Sequence, residues 1–227
     1  MKTHPIHSTL SRRSFFAATL VTSSALGCKS TGHDEAGEEE EVSATEDLMR
    51  EHGVLERMLL VYEEIARRAT RGESFDPALV IQTAQTIRRF IEDYHEKLEE
   101  QHVFPRVEKI AGLSATVAIL RVQHAAGRGV TDEIEKLARA GGQDHGRLID
   151  RIQAFSRMYR PHAAREDTLV FPALRKALGK AEILELGEAF EEEEHRRFGE
   201  GGFEAIVAEV TGLETSLGLA DLALFNP

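Results

Sequence analysis

Apolar residues recur along this chain at helical spacing, and the strict alternation that marks a strand is hard to find. A cap at Thr45 and the acids that follow lead into a stripe of Leu48, Leu55, Leu59, Tyr62 and Ile65, which predicts a helix ending near Gly72. Asp76-Pro77 opens a second helix, carrying Leu79, Ile87, Phe90, Ile91 and Tyr94 and stopping at 110–112. A third runs from Ser114 through Val117, Leu120, His124, Ile134 and Leu137, with Gly127 and Gly129 just after the histidine, where they allow either a close helix contact or a bend. Gly141-Gly142 separates it from a fourth, which passes Leu148, Ile152, Phe155 and Tyr159 on its way to His162, with Pro161 predicting a kink. Beyond Gly179 a very acidic helix reaches Arg197, glycines 199, 201 and 202 form a hinge, and a last helix spans Phe203 to Leu217. The expectation is an all-α protein.

The polar residues inside these stripes repeat. His95-Glu96-Lys97-Leu98-Glu99-Glu100 runs on to Val103-Phe104-Pro105, and 67 positions later His162-Ala163-Ala164-Arg165-Glu166-Asp167 runs on to Val170-Phe171-Pro172. In each copy a histidine is followed four residues on by Glu, then by a second acid, then by Val-Phe-Pro. Residues i and i+4 share a helix face, so each copy offers an imidazole and a carboxylate to one region of space. Two such helices face to face would surround a common centre with hard oxygen and borderline nitrogen donors, a mixture that suits iron, manganese or zinc. Each paired histidine also has an inward-facing predecessor one helix earlier: His52 lies 43 residues before His95, and His124 lies 38 before His162. Four imidazoles and two carboxylates can therefore meet in one core, where burying them without a cation would be costly. His102 has Leu169 as its counterpart and falls outside this set, while His145 and His195 are expected to be exposed and Tyr62, Tyr94 and Tyr159 to be core.

Composition narrows the chemistry. The single cysteine, Cys28, excludes an internal disulfide and any cysteine-rich metal site, leaving N and O ligands. The net charge of −11 argues against nucleic acid as a partner. Residues 11–16 read Ser-Arg-Arg-Ser-Phe-Phe and precede an apolar, small-residue run to Gly27, the pattern of a twin-arginine export signal. The run ends Ser24-Ala25-Leu26-Gly27-Cys28, which resembles a lipoprotein processing box and makes membrane attachment through a lipid on Cys28 an alternative to simple release; its Leu stands one place later than usual. The chain thus divides into a signal at 1–28, an acidic tether at 29–45, a helical core at 46–178 and an extension at 179–227, expected to cap one open end of the core.

With its two His/Glu pairs, two lone histidines and repeated Phe-Pro, the core resembles the hemerythrin-like, His-His-Glu cation-binding family. That resemblance implies an up-down-up-down four-helix bundle around a non-haem di-iron centre. It makes His52, His95, His124 and His162 terminal ligands of two iron ions and Glu99 and Glu166 their bridges, with manganese or zinc as other occupants. Oxygen-carrying members have a further histidine where this chain has Arg128, so Glu56, one turn after His52, water, or Asp167 beside Glu166 is expected to complete the coordination. The implied function is binding or sensing of a small diatomic ligand, oxygen or nitric oxide, or of peroxide. The alternatives are a di-iron or di-manganese oxidase or peroxidase, and a metal-stabilised interaction module.

Overall fold

A computed structural model describes residues 42–141 and 144–225. The export signal, Cys28, most of the tether and Gly142 lie outside the described residues. Every regular element among the described residues is helical.

Helix α1 spans Ala44–Thr70, capped two residues earlier than the expected Thr45. Its cap is Ser43, whose hydroxyl accepts from the Glu46 N–H while the Glu46 carboxylate accepts from the Ser43 N–H at 2.9 Å. Such a reciprocal box satisfies two helix-end donors and is worth about 1 kcal/mol. The second helical stretch runs without a gap through α2 (Pro77–Thr86), a π-helical segment (Ile87–His95), the short α3 (Glu96–Leu98), a second π segment (Glu99–Val103) and α4 (Phe104–Val107). Asp76 caps it, accepting from the Ala78 N–H at 2.9 Å, with Pro77 at the first helical position. Then come α5 (Ser114–Arg139), α6 (His145–Arg165), a third π segment (Glu166–Val170) and α7 (Phe171–Phe198). Helix α6 continues through Pro161 to Arg165, so the irregularity expected at the proline falls at Glu166–Val170 instead.

Packing closes these stretches into a ring: α1 lies against α6, α6 against α5, α5 against α2, and α2 with the first π segment back against α1. The enclosed core holds Leu48, Met58, Leu59, Tyr62, Ile65, Phe90, Phe155 and Tyr159, all essentially without solvent contact. Each such side chain contributes roughly 1.5–3 kcal/mol of hydrophobic stabilisation.

Gly179, at φ 76° and ψ 174°, breaks α7 into two runs where the sequence placed the boundary. The second run and α8 (Gly202–Leu217) do not cap an end of the ring as expected. Helix α8 lies along the flank of α1 and also on α2, while the second run sets Gly187 against the start of α1 and Phe198 against Phe90 and Tyr94 of the first π segment. Arg57 donates to both oxygens of Glu214 at 2.9 and 2.5 Å, Arg68 donates to the Leu217 carbonyl at 2.7 Å, and Arg89 meets Glu209 at 2.7 Å. Phe90 packs against Phe198 and Phe203 underneath. Helix α8 thus takes its polar partners from arginines of α1 and the first π segment and buries Phe203 beneath them.

The two glycines after His124 separate in role. At Gly129 a β-carbon would meet nothing within 4 Å, whereas at Gly127 it would lie 2.1 Å from the Tyr159 hydroxyl oxygen and 2.7 Å from the adjacent ring carbon. Gly127 therefore serves a close contact between α5 and α6 that seats Tyr159. Gly127→Ala is expected to destabilise the fold by about 1–3 kcal/mol through overpacking. Tyr159→Phe should recover part of that loss, as read by urea denaturation of the single and double variants.

Candidate metal centre

The six expected residues converge. Helix α1 supplies His52, the first π segment His95, the second π segment Glu99, α5 His124, α6 His162 and the third π segment Glu166, and all six are buried. The Nε2 atoms of His52 and His95 face each other at 3.0 Å, and those of His124 and His162 at 3.1 Å. Each carboxylate spans the two pairs. Glu99 Oε2 lies 3.6 Å from His95 Nε2 and 3.4 Å from His124 Nε2; Glu166 Oε2 lies 3.0 Å from His162 Nε2 and 3.5 Å from His52 Nε2. Glu99, His124, His162 and Glu166 thus place one donor atom each within 4.8 Å of one another, as do His52, His95 and Glu99.

The outer ring nitrogens fix which nitrogen faces inward. His52 Nδ1 lies 2.7 Å from Asp167 Oδ1 and His95 Nδ1 2.7 Å from Glu51 Oε2. His124 Nδ1 lies 3.2 Å from Glu100 Oε1, and His162 Nδ1 2.9 Å from Gln123 Oε1. All four partners are acceptors, so each imidazole donates from Nδ1 and turns its Nε2 toward the centre. Facing lone pairs 3 Å apart repel unless a proton or a metal cation lies between them.

The partnership crosses between the halves of the repeat. Residues of the second half, Glu166, Asp167 and Phe171, attend His52 of the first; their counterparts 67 positions earlier, Glu99, Glu100 and Phe104, attend His124 of the second. Phe171 stacks on His52 with ring centroids 5.6 Å apart, and Phe104 on His124 at 5.3 Å. The second acid of each motif is the acceptor behind the other half's lone histidine. The wide turns belong to the same repeat: Phe104 and Phe171 donate their N–H groups five residues back, to the carbonyls of Glu99 and Glu166. Each turn immediately precedes a proline, which has no N–H and crowds the carbonyl four residues before it.

The electrostatics point to a missing positive charge. Among the described residues, none of the four oxygens of Glu99 and Glu166 has a hydrogen-bond partner. Burial, then the charges of Glu166, Glu96 and Glu51, pushes the Glu99 carboxyl well up. Burial also opposes the charge on Glu166, but His162 and His52 hold it below the usual carboxylate range. Burial works against protonating His52, yet Asp167 and Glu166 carry it up to about 9, while burial takes His124 down to about 4 despite Glu100. Protein groups alone thus support one of the two carboxylates as an anion. A metal cation would satisfy both, together with the inward imidazoles, so the donor set fits a metal.

The remaining candidates lie elsewhere. Glu56 is drawn outward to Arg160, with oxygen–nitrogen distances of 2.8–3.2 Å, and belongs to no ligand group. Asp167 stands behind an imidazole rather than at the centre. Arg128 reaches Glu96 Oε2 at 2.6 Å and Glu100 Oε1 at 2.7 Å, so the protein's own cation spans the third acidic group, Glu96, Glu100 and His124. His102 packs near Phe190, outside the ligand groups; His145 and His195 are exposed. Tyr62 packs against Phe155, whereas Tyr159 donates to Glu96 Oε1 at 2.5 Å and lies edge-on to His162. Glu51, Glu96 and Gln123 were missed by sequence reasoning. Position was the available signal for two of them, since Glu51 and Gln123 each directly precede a lone histidine.

Comparison with known proteins agrees with this geometry. No solved structure matches the chain. Uncharacterized proteins of Mycobacterium tuberculosis and Mycobacterium bovis are 48% identical to it over 190 residues, covering 82% of this chain and 74% of theirs. The hemerythrin HHE cation binding domain matches residues 43–174, the stretch that holds all six converging residues. The chain belongs to the hemerythrin HHE cation-binding family, whose members bind metal cations, typically iron.

Proposed function

We propose that this is an exported non-haem di-iron protein that binds oxygen, nitric oxide or peroxide at a carboxylate-bridged centre. The observation that carries the reading is the paired geometry: two Nε2 pairs, with Glu99 and Glu166 each facing one imidazole of either pair. His52 and His95 would hold one ion, His124 and His162 the other, and the carboxylates both. The four principal helical stretches would form the up-down-up-down bundle of the family.

Bound iron would supply an exchangeable position at which a small ligand binds and accepts electrons. The chain's own residues set the conditions around it. Asp167, Glu51, Glu100 and Gln123 hold the four rings in orientation, while Phe104 and Phe171 cover His124 and His52. Tyr159 and Glu96 hold a proton between them beside His162, and Arg128 balances Glu96. That buried proton favours a second reading, an oxidase or peroxide-decomposing enzyme, because such chemistry needs a proton donor near the metal.

Export rests on Arg12-Arg13 and the apolar run that follows, and ends either in a lipid anchor on Cys28 or in simple cleavage and release into the periplasm. Among the described residues no helix is long and apolar enough to cross a membrane. The acidic surface supports a small molecule rather than nucleic acid as the partner.

Metal analysis and visible absorption of the purified mature protein test the reading. About two irons per chain are expected, with charge-transfer bands that change on adding oxygen or peroxide; one zinc, or no metal, in protein made with iron available would refute it. Glu99→Gln and Glu166→Gln should each weaken metal binding by more than the roughly 10–100-fold that loss of an outer partner costs, while far-UV circular dichroism keeps its helical signal. For export, a fusion carrying Arg12→Lys and Arg13→Lys should remain in the cytoplasm, and its arrival in the periplasm would count against the twin-arginine route.

A further inference from the structure

We infer that the two cation positions are unequal and fill in order, the His52/His95 pair first and the His124/His162 pair second. The inference rests on the metal-binding reading above and concerns what stands behind the imidazoles. Behind His52 and His95 are two carboxylates, Asp167 and Glu51, each 2.7 Å from a ring nitrogen. Behind His162 is an amide, Gln123, at 2.9 Å. Behind His124 is Glu100 at a longer 3.2 Å; the same oxygen takes a hydrogen bond from Arg128 at 2.7 Å, and the other oxygen takes one from Lys97 at 2.6 Å.

The repeat turns this contrast into a controlled comparison. Glu51 and Gln123 occupy matching places, each just before a lone histidine and each supporting the paired histidine of its own half. A carboxylate behind an imidazole makes the opposite nitrogen a stronger donor and brings negative charge toward the cation, whereas an amide orients the ring without adding charge. Arg128 works in the same direction. It lies four residues beyond His124, and the residue four beyond His52 is Glu56, which turns outward to Arg160. Glu96, a further carboxyl on the His124 side, is itself spanned by Arg128 at 2.6 Å and Tyr159 at 2.5 Å. One cation position is therefore backed by two carboxylates, and the other by an amide and a carboxylate shared with two protein cations. Glu51 acts as a positioning residue that also sets the affinity of its half.

Anaerobic calorimetric titration of the full mature chain with Co²⁺, paired with anomalous diffraction from crystals holding one equivalent, tests this. Two binding steps separated by roughly 10–100-fold are expected, with the first ion's density between His52 and His95. Glu51→Gln installs the amide found in the other half, keeps the acceptor, and should weaken the first step by about tenfold. Gln123→Glu should strengthen the second step and narrow the gap from the other side, which keeps the test open should Glu51→Gln fail to fold. A merely structural role would leave the ratio of the two steps unchanged in both variants, and that result would overturn the inference. Equal affinities in the unsubstituted protein, or first occupancy between His124 and His162, would overturn it as well while leaving metal binding intact. Absence of any bound cation would instead defeat the underlying metal reading.

Discussion

Two buried carboxylates that receive no hydrogen bond from the protein set the terms for the rest of this structure. Glu99 and Glu166 sit without solvent contact among inward-facing imidazole nitrogens, and because the protein's own groups support only one of them as an anion, the second charge calls for a cation. Other features of the centre maintain that demand. Acceptors behind each imidazole hold the Nε2 atoms inward, and stacked phenylalanines cover both lone histidines. The extension along the α1 flank buries further apolar surface against the same ring of helices, outside the ligand set.

Much of this was legible because the chain states it twice. Helical periodicity gave the four principal stretches and the two C-terminal helices, and the doubled His/Glu/Phe-Pro motif gave the six converging residues. What could not be read was set by partners distant in sequence. The outward turn of Glu56 depends on Arg160, 104 residues away, and the position of Asp167 depends on His52, 115 residues away. The place of the extension was misjudged for the same reason, since the partners of α8 are Arg57 and Arg68 on α1 and Arg89 on the first π segment, all more than 100 residues away. The capping error at Thr45 was smaller: Ser43 and Thr45 are both cap-forming types, Ser the better of the two, and Glu46, three residues after Ser43, completes the box that decides between them.

The crossing of the two halves explains why the motif tolerates unequal spacing. The intervals from lone to paired histidine are 43 and 38 residues, yet the distances at the two Nε2 pairs are 3.0 and 3.1 Å. Helix length takes up most of the difference, α1 running on from His52 to Thr70 and α5 only from His124 to Arg139, while each short motif from the carboxylate to Phe-Pro grips the opposite half as one unit: bridge, outer acceptor and stacking ring. Departures from symmetry gather in the residues behind the imidazoles and in the Tyr159, Glu96 and Arg128 network.

The wide turns between each bridging glutamate and its phenylalanine act as gears. An α-helix advances about 100° per residue, so the angle between the face bearing the carboxylate and the face bearing the stacking ring is set by how many residues each intervening turn contains. Closing the turn five residues back, in both halves, lets one continuous stretch point Glu99 at the centre and still lay Phe104 over His124. Losing one residue between them would leave the ligand in place and swing its cover away, opening the centre to water while every metal-binding atom stayed where it is.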